Sequence, residues 1–131
     1  MTIDLYMVGA TCFLLMALIM LQGASGTLMN GIGWGLSNRQ TAAKDSPFYD
    51  RLSRTITNHI HAMLMFVPLV FILHMADLST TMTMRATIIF VIARLAYAVV
   101  YVMGITFIRS LMWGVGFLST LALLPALFGS G

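Results

Sequence analysis

The sequence predicts an all-α membrane protein, a bundle of four transmembrane helices. Three observations predict it. Hydrophobic residues make up 60% of the 131-residue chain and charged residues 8%, with a mean hydropathy of +0.94; soluble domains are about half apolar and about a quarter charged. The apolar residues gather in four continuous runs, each close to the ~20 residues that cross the hydrocarbon. The runs also lack the short alternating strands of a β-barrel, and a helix satisfies its own backbone polar groups in lipid. So short a chain could not hide this much apolar surface from water, so lipid must be the solvent for much of it. One membrane domain over residues 1–131 is expected.

The first run, Leu5 to Met29, carries no charge. The second, Thr55 to Ala76, is interrupted by Asn58, His59, His61 and His74. The third, Ala86 to Met103, holds one charge, Arg94, and the fourth, Ile108 to Phe128, has Arg109 at its mouth. Helices are therefore expected at approximately 5–29, 55–76, 86–103 and 108–128. The stretch from Asn30 to Ser53 is Gly-rich (Gly31, Gly33, Gly35) and then polar, with Arg39, Lys44, Arg51 and the adjoining Arg54 against Asp45 and Asp50. The other two connections, Asp77 to Arg85 and Gly104 to Phe107, are short, which makes consecutive helices antiparallel neighbours.

Lys and Arg accumulate on the cytoplasmic side of membrane proteins. Four lie in or beside the first connection and Arg109 borders the third, against Arg85 alone in the second. Both termini are thus expected on the periplasmic or luminal side. Asp4 stands where a signal peptide would carry Lys or Arg, so no cleavable signal is expected. The net charge of +3 comes without a Lys/Arg run, which speaks against nucleic acid as a partner; membrane lipids are the expected one. The single cysteine, Cys12, lies in an apolar run and reads as an inert thiol.

Ionisable groups at membrane depth are costly and point to function. Arg51, Arg54, Asn58 and His61 are spaced 3, 4 and 3 apart and share one helical face. Two guanidiniums above an amide form a site for a carboxylate; the alternative is that the arginines mark the membrane interface. Arg94, Tyr97 and Tyr101, spaced 3 and 4, share a face of the third helix. Arg94 needs a partner there, either Asp50 or a ligand carboxylate, or a polar cavity, whereas the tyrosines alone would suit an interfacial belt. Arg109 and Ser110 open the fourth helix. A cation beside a hydroxyl can stabilise a thiolate, although Arg109 alone could equally anchor the helix at the headgroups. His59 and His61 are two apart and point to different sides of a helix, so no metal site is expected.

These features together resemble the MAPEG family, the membrane-associated proteins in eicosanoid and glutathione metabolism. The segment Gly33-Trp34-Gly35-Leu36-Ser37-Asn38-Arg39 is similar to that after helix one in bacterial members. Arg51-x-x-Arg54-x-x-x-Asn58-x-x-His61 resembles the helix-two signature, and Arg94-x-x-Tyr97-x-x-x-Tyr101 followed by Ile108-Arg109-Ser110-Leu111 resembles helix three and the start of helix four. The resemblance implies a homotrimer in a bacterial inner membrane, with glutathione between subunits and open to the cytoplasm. It implies that Arg54 and Asn58 hold the polar ends of glutathione, with Arg51 and His61 on the same face. It also implies that Arg94, Tyr97 and Tyr101 line the cavity, and that Arg109, with Ser110 beside it, favours the thiolate. The function implied is a glutathione (or related thiol) transferase or peroxidase acting on lipophilic electrophiles.

The chain departs from the family pattern where the helix-two signature ends in a glutamate that helps hold the glutathione amino group; here the residue is His61. Thr57 also replaces an arginine of some members, and Pro68 comes about a turn later than in typical members. The rival reading starts from His61: a non-catalytic subunit of a larger membrane complex, or a scaffold that binds a lipid or quinone.

Overall fold

The computed structural model describes residues 2–31 and 47–128; the segment 33–39, Lys44 and Asp45 lie outside the described residues. The described chain forms helices α1 (Ile3–Asn30), α2 (Pro47–Met75), α3 (Thr81–Val102), α4 (Thr106–Leu121) and a short α5 (Leu124–Phe128). Four stretches, Ile3–Leu28, Pro47–Met75, Thr81–Val102 and Phe107–Phe128, are long and apolar enough to cross a bilayer. The fold is an all-α membrane bundle with four spans.

The helices begin and end where local chemistry acts rather than where hydropathy changes. α2 starts at Pro47, eight residues before its apolar run, so Arg51 and Arg54 lie on the same helix as Asn58 and His61. Proline suits the first helical position and Asp50 suits the positive end of the helix dipole. α3 starts at Thr81 behind a capping box, in which Thr80 Oγ1 accepts from the Thr83 amide and Thr83 Oγ1 accepts from the Thr80 amide. The expected fourth helix divides at residues 122–123. Pro125 has no N–H to offer the Leu121 carbonyl, so the α-helical ladder stops there.

α2 and α3 end in matching turns. The Leu78 amide donates to Leu73 O (2.8 Å) and the Asp77 amide to His74 O (3.2 Å), with Asp77 at φ 58°. The Ile105 amide donates to Val100 O (3.1 Å) and the Gly104 amide to Tyr101 O (2.9 Å), with Gly104 at φ 83°. Both are Schellman motifs, which satisfy the last carbonyls and reverse the chain within a few residues.

α1 packs on α2 and α3, and α4 packs mainly on α3; α2 and α4 make little contact. Two apolar clusters hold the bundle. The larger joins Val8, Phe66, Val70, Leu73, Phe90 and Leu123, with the rings of Phe66 and Phe90 stacked at 3.9 Å. The smaller joins Leu18, Leu52, Ile56 and Ala98 towards the end where α2 begins. Between them lies a layer of polar side chains.

Candidate functional site

The polar layer follows from the register of α2. Its buried stripe runs Leu52, Thr55, Ile56, His59, Ala62, Phe66, Val70 and Leu73, so His59 takes a core position that helical spacing reserves for an apolar residue. His59 Nε2 lies 2.9 Å from Thr11 O on α1, and its Nδ1 accepts from Arg94 Nε on α3 at 3.3 Å. A guanidinium can only donate, so Nδ1 is bare and the proton sits on Nε2, which donates to Thr11 O. Arg94 Nη1 donates to Asn58 Oδ1 at 2.9 Å. Arg94 is 2% exposed, and its Nη2 is buried with no hydrogen-bond partner. It lies thirteen residues beyond Thr81, roughly 20 Å along the helix and well inside the membrane. One cation thus ties three helices together at membrane depth.

From Arg94 a ladder of rings and cations runs to the end of the bundle where α2 and α4 begin. The Arg94 guanidinium lies 4.5 Å from the centre of the Tyr97 ring. The rings of Tyr97 and Tyr101 are 5.5 Å apart, and the Arg109 guanidinium lies 4.8 Å from the Tyr101 ring. Each cation faces the negative π surface of a ring, which holds it in a fixed direction without a carboxylate.

The gap left between α2 and α4 is hollow. A vestibule of about 460 Å³ is lined by Arg54, Asn58, Tyr97, Tyr101, Arg109, Ser110 and Trp113. A deeper and more apolar chamber of about 260 Å³ shares Asn58 and Trp113 with it and adds His61, Met65, Phe90, Arg94, Gly116 and Phe117. A shallower groove of about 300 Å³ on α2 brings Ser53, Arg54 and Thr57 beside Asn58 and His61. Asn58 stands at the junction of all three. Among the described residues no Asp or Glu lines any of them.

Of the residues expected at the site, Arg54, Asn58, His61, Arg94, Tyr97, Tyr101, Arg109 and Ser110 therefore line this connected hollow. Arg51 stands apart: its Nε donates to Val102 O at 2.9 Å, closing an orphan carbonyl at the C-terminus of α3, and its guanidinium packs over Gly104. Trp113, His59 and Thr11 are additions. Arg109, Trp113, Gly116, Phe117 and Thr120 are spaced 4, 3, 1 and 3 apart, one face of α4, and this signal is readable in the sequence. The partnership of His59 with Thr11 O is not readable, because a backbone carbonyl leaves no mark in a sequence.

The arrangement can attract an anion to the vestibule, hold it with several donors, and adjoin it to an apolar chamber at membrane depth. No curated protein and no solved structure matches the chain. The family model for MAPEG matches residues 5–129, nearly the whole length, and on that match, with four spans and this hollow between them, the chain belongs to the MAPEG family.

Proposed function

We propose that the protein binds glutathione or a related thiol in the vestibule and activates it as a thiolate. The thiolate would attack a lipophilic electrophile or hydroperoxide that arrives from the membrane. The observation that carries this reading is that Arg54, Asn58, Tyr101, Arg109 and Ser110, drawn from three helices, line one cavity. A guanidinium held over an aromatic ring is a fixed positive charge, and a fixed positive charge lowers the cost of removing a proton from a nearby sulfur. Arg109 takes that role and Ser110 stands beside it on α4. Arg54 and Asn58 hold the polar ends of the thiol, Arg94 orients Asn58, and Tyr97 and Tyr101 form the wall. The apolar chamber past Trp113 receives the electrophile.

In this reading the vestibule opens to the cytoplasm, both termini lie on the opposite side of a bacterial inner membrane, and three copies assemble. The broad exposure of apolar side chains, such as Leu64, Ile92, Leu95 and Val99, supports burial against lipid or neighbouring copies. Titration of the purified protein with thiols, followed by thiolate absorbance and thermal stability, tests the proposal. Saturable thiolate formation that Arg109→Ala abolishes, with assembly intact, is the expected result. Absence of binding at millimolar thiol would favour a non-catalytic subunit of a larger complex or a lipid-binding scaffold.

A further inference from the structure

The charged and amide groups that face the hollow are donors. Asn58 decides this. Its Oδ1 accepts from Arg94 Nη1, and since a guanidinium offers no acceptor the amide cannot be turned round. The group that remains for a ligand is Nδ2, a donor, at the junction of the three cavities. Arg54 and Arg109 add two cations in the vestibule. Behind them Arg94 adds a third, with Nη2 buried and without a partner.

Among the described residues, countercharge is missing on the same surface. The chain has four acidic residues in all, every one an aspartate. Asp4, in the first turn of α1, and Asp77, after α2, sit at the far end of the bundle. Asp50 is exposed in the first turn of α2, and Asp45 lies outside the described residues. Among the described residues the other side-chain acceptors that line the hollow are hydroxyls and the imidazole of His61, and an imidazole carries no negative charge in either protonation state. A ligand ammonium placed here meets guanidiniums and finds no carboxylate among the described residues.

We infer, resting on the thiol reading above, that this site selects thiols that carry a carboxylate or similar anion and lack a free amine, and that it discriminates against the α-ammonium of glutathione. The ligand class is an amine-free anionic thiol. His61, which shares the groove on α2 with Arg54 and Asn58 at the edge of the vestibule, is the position that sets this preference.

The test compares two thiols on the full-length protein in lipid nanodiscs. One is glutathione. The other is its deamino analogue, glutaryl-cysteinyl-glycine, in which hydrogen replaces the ammonium while the thiol and both carboxylates remain. The analogue should bind at least about tenfold more tightly, the effect of one unsatisfied charged group in the site. His61→Glu should narrow or reverse that ratio, and an unchanged ratio in the folded variant would overturn the role of His61. Equal or tighter binding of glutathione to the unmodified protein would overturn the inference and leave thiol activation standing; it would mean that a carboxylate reaches the pocket from another copy. Failure of both thiols to bind would remove the inference together with the thiol reading.

Discussion

Arg94 Nη1 and Asn58 Oδ1 meet at 2.9 Å across the α2–α3 interface, and no carboxylate among the described residues shares the bond. The pair couples stability to the shape of the cavity, because Asn58 is both an acceptor for a buried cation and a wall residue. Asn58→Leu removes one of the few acceptors available to Arg94 and should cost about 2–3 kcal/mol, as expected when a buried charged group loses a hydrogen bond. In an Arg94→Leu background the same substitution should cost well under half as much. Thermal unfolding of the four proteins of this double-mutant cycle measures the coupling, and additive effects would show that the two side chains act independently.

The same cation dictates the tautomer of His59. Arg94 Nε donates to Nδ1, so the ring proton must sit on Nε2 and donate to Thr11 O. Nitrogen NMR of the protein labelled at histidine should show a protonated Nε2 and a bare Nδ1 for His59. A His59 ring protonated on Nδ1 would be incompatible with the bond from Arg94.

Arg51 and Arg54 differ by one turn of α2 and should give opposite phenotypes. Arg51 closes the Val102 carbonyl at the end of α3, so Arg51→Ala should lower stability by about 1 kcal/mol and leave thiol affinity nearly unchanged. Arg54 is exposed and lines the vestibule, so Arg54→Ala should leave stability within about 0.5 kcal/mol and weaken thiol binding about tenfold or more. Paired melting and titration curves decide between this assignment and one in which both arginines only mark the interface.

How far the sequence alone reaches is visible in these residues. Apolar runs near the thickness of the hydrocarbon locate four spans, because lipid penalises anything else over that length. Arg54, Asn58, Tyr97, Tyr101 and Arg109 are legible because each is a polar residue at helical spacing beside or within such a run. The start of α2 is not legible by hydropathy, since its first turns are polar and only Pro47 and Asp50 signal them. The assignment of Arg51 to a carbonyl and of Arg54 to a cavity is likewise beyond the sequence: both lie on one face of one helix, and their fates diverge only because the end of α3 arrives beside the first.

The two Schellman turns make a prediction of opposite sign at their left-handed residues. Gly104, at φ 83°, already has the residue that this conformation favours, so Gly104→Ala should destabilise by about 1 kcal/mol through backbone strain. A Cβ there would meet Arg51 Cζ at 3.8 Å, an ordinary contact, so the cost comes from φ and not from collision. Asp77, at φ 58°, carries a side chain in the same conformation, so Asp77→Gly should stabilise by up to about 1 kcal/mol. Thermal melts of the two variants should move in opposite directions.

Gly116 lines the deeper chamber alone, whereas Asn58 and Trp113 border both parts of the hollow. It is buried where α4 meets α3, and a Cβ at this position would lie 3.7 Å from Arg94 Cδ, 3.8 Å from Ala93 Cβ and 4.0 Å from Phe90 Cδ2. These are ordinary contacts, so Gly116→Ala fits without displacement, and the gain in helix propensity should make it neutral or stabilising by up to about 1 kcal/mol. Gly116→Leu sends further carbons along the same line into the apolar chamber, and overpacking against α3 should cost about 1–3 kcal/mol. Gly116 does not line the vestibule, so thiolate formation by the leucine variant should persist within about twofold, a change of under about 0.5 kcal/mol. Turnover of a lipophilic aryl halide, which must share the deeper space with the new side chain, should fall at least about tenfold, an energy comparable to that overpacking. Stopped-flow measurement of thiolate formation beside steady-state turnover reads both quantities on one sample. A leucine variant that lost both equally would mean that the chamber and the vestibule are a single site.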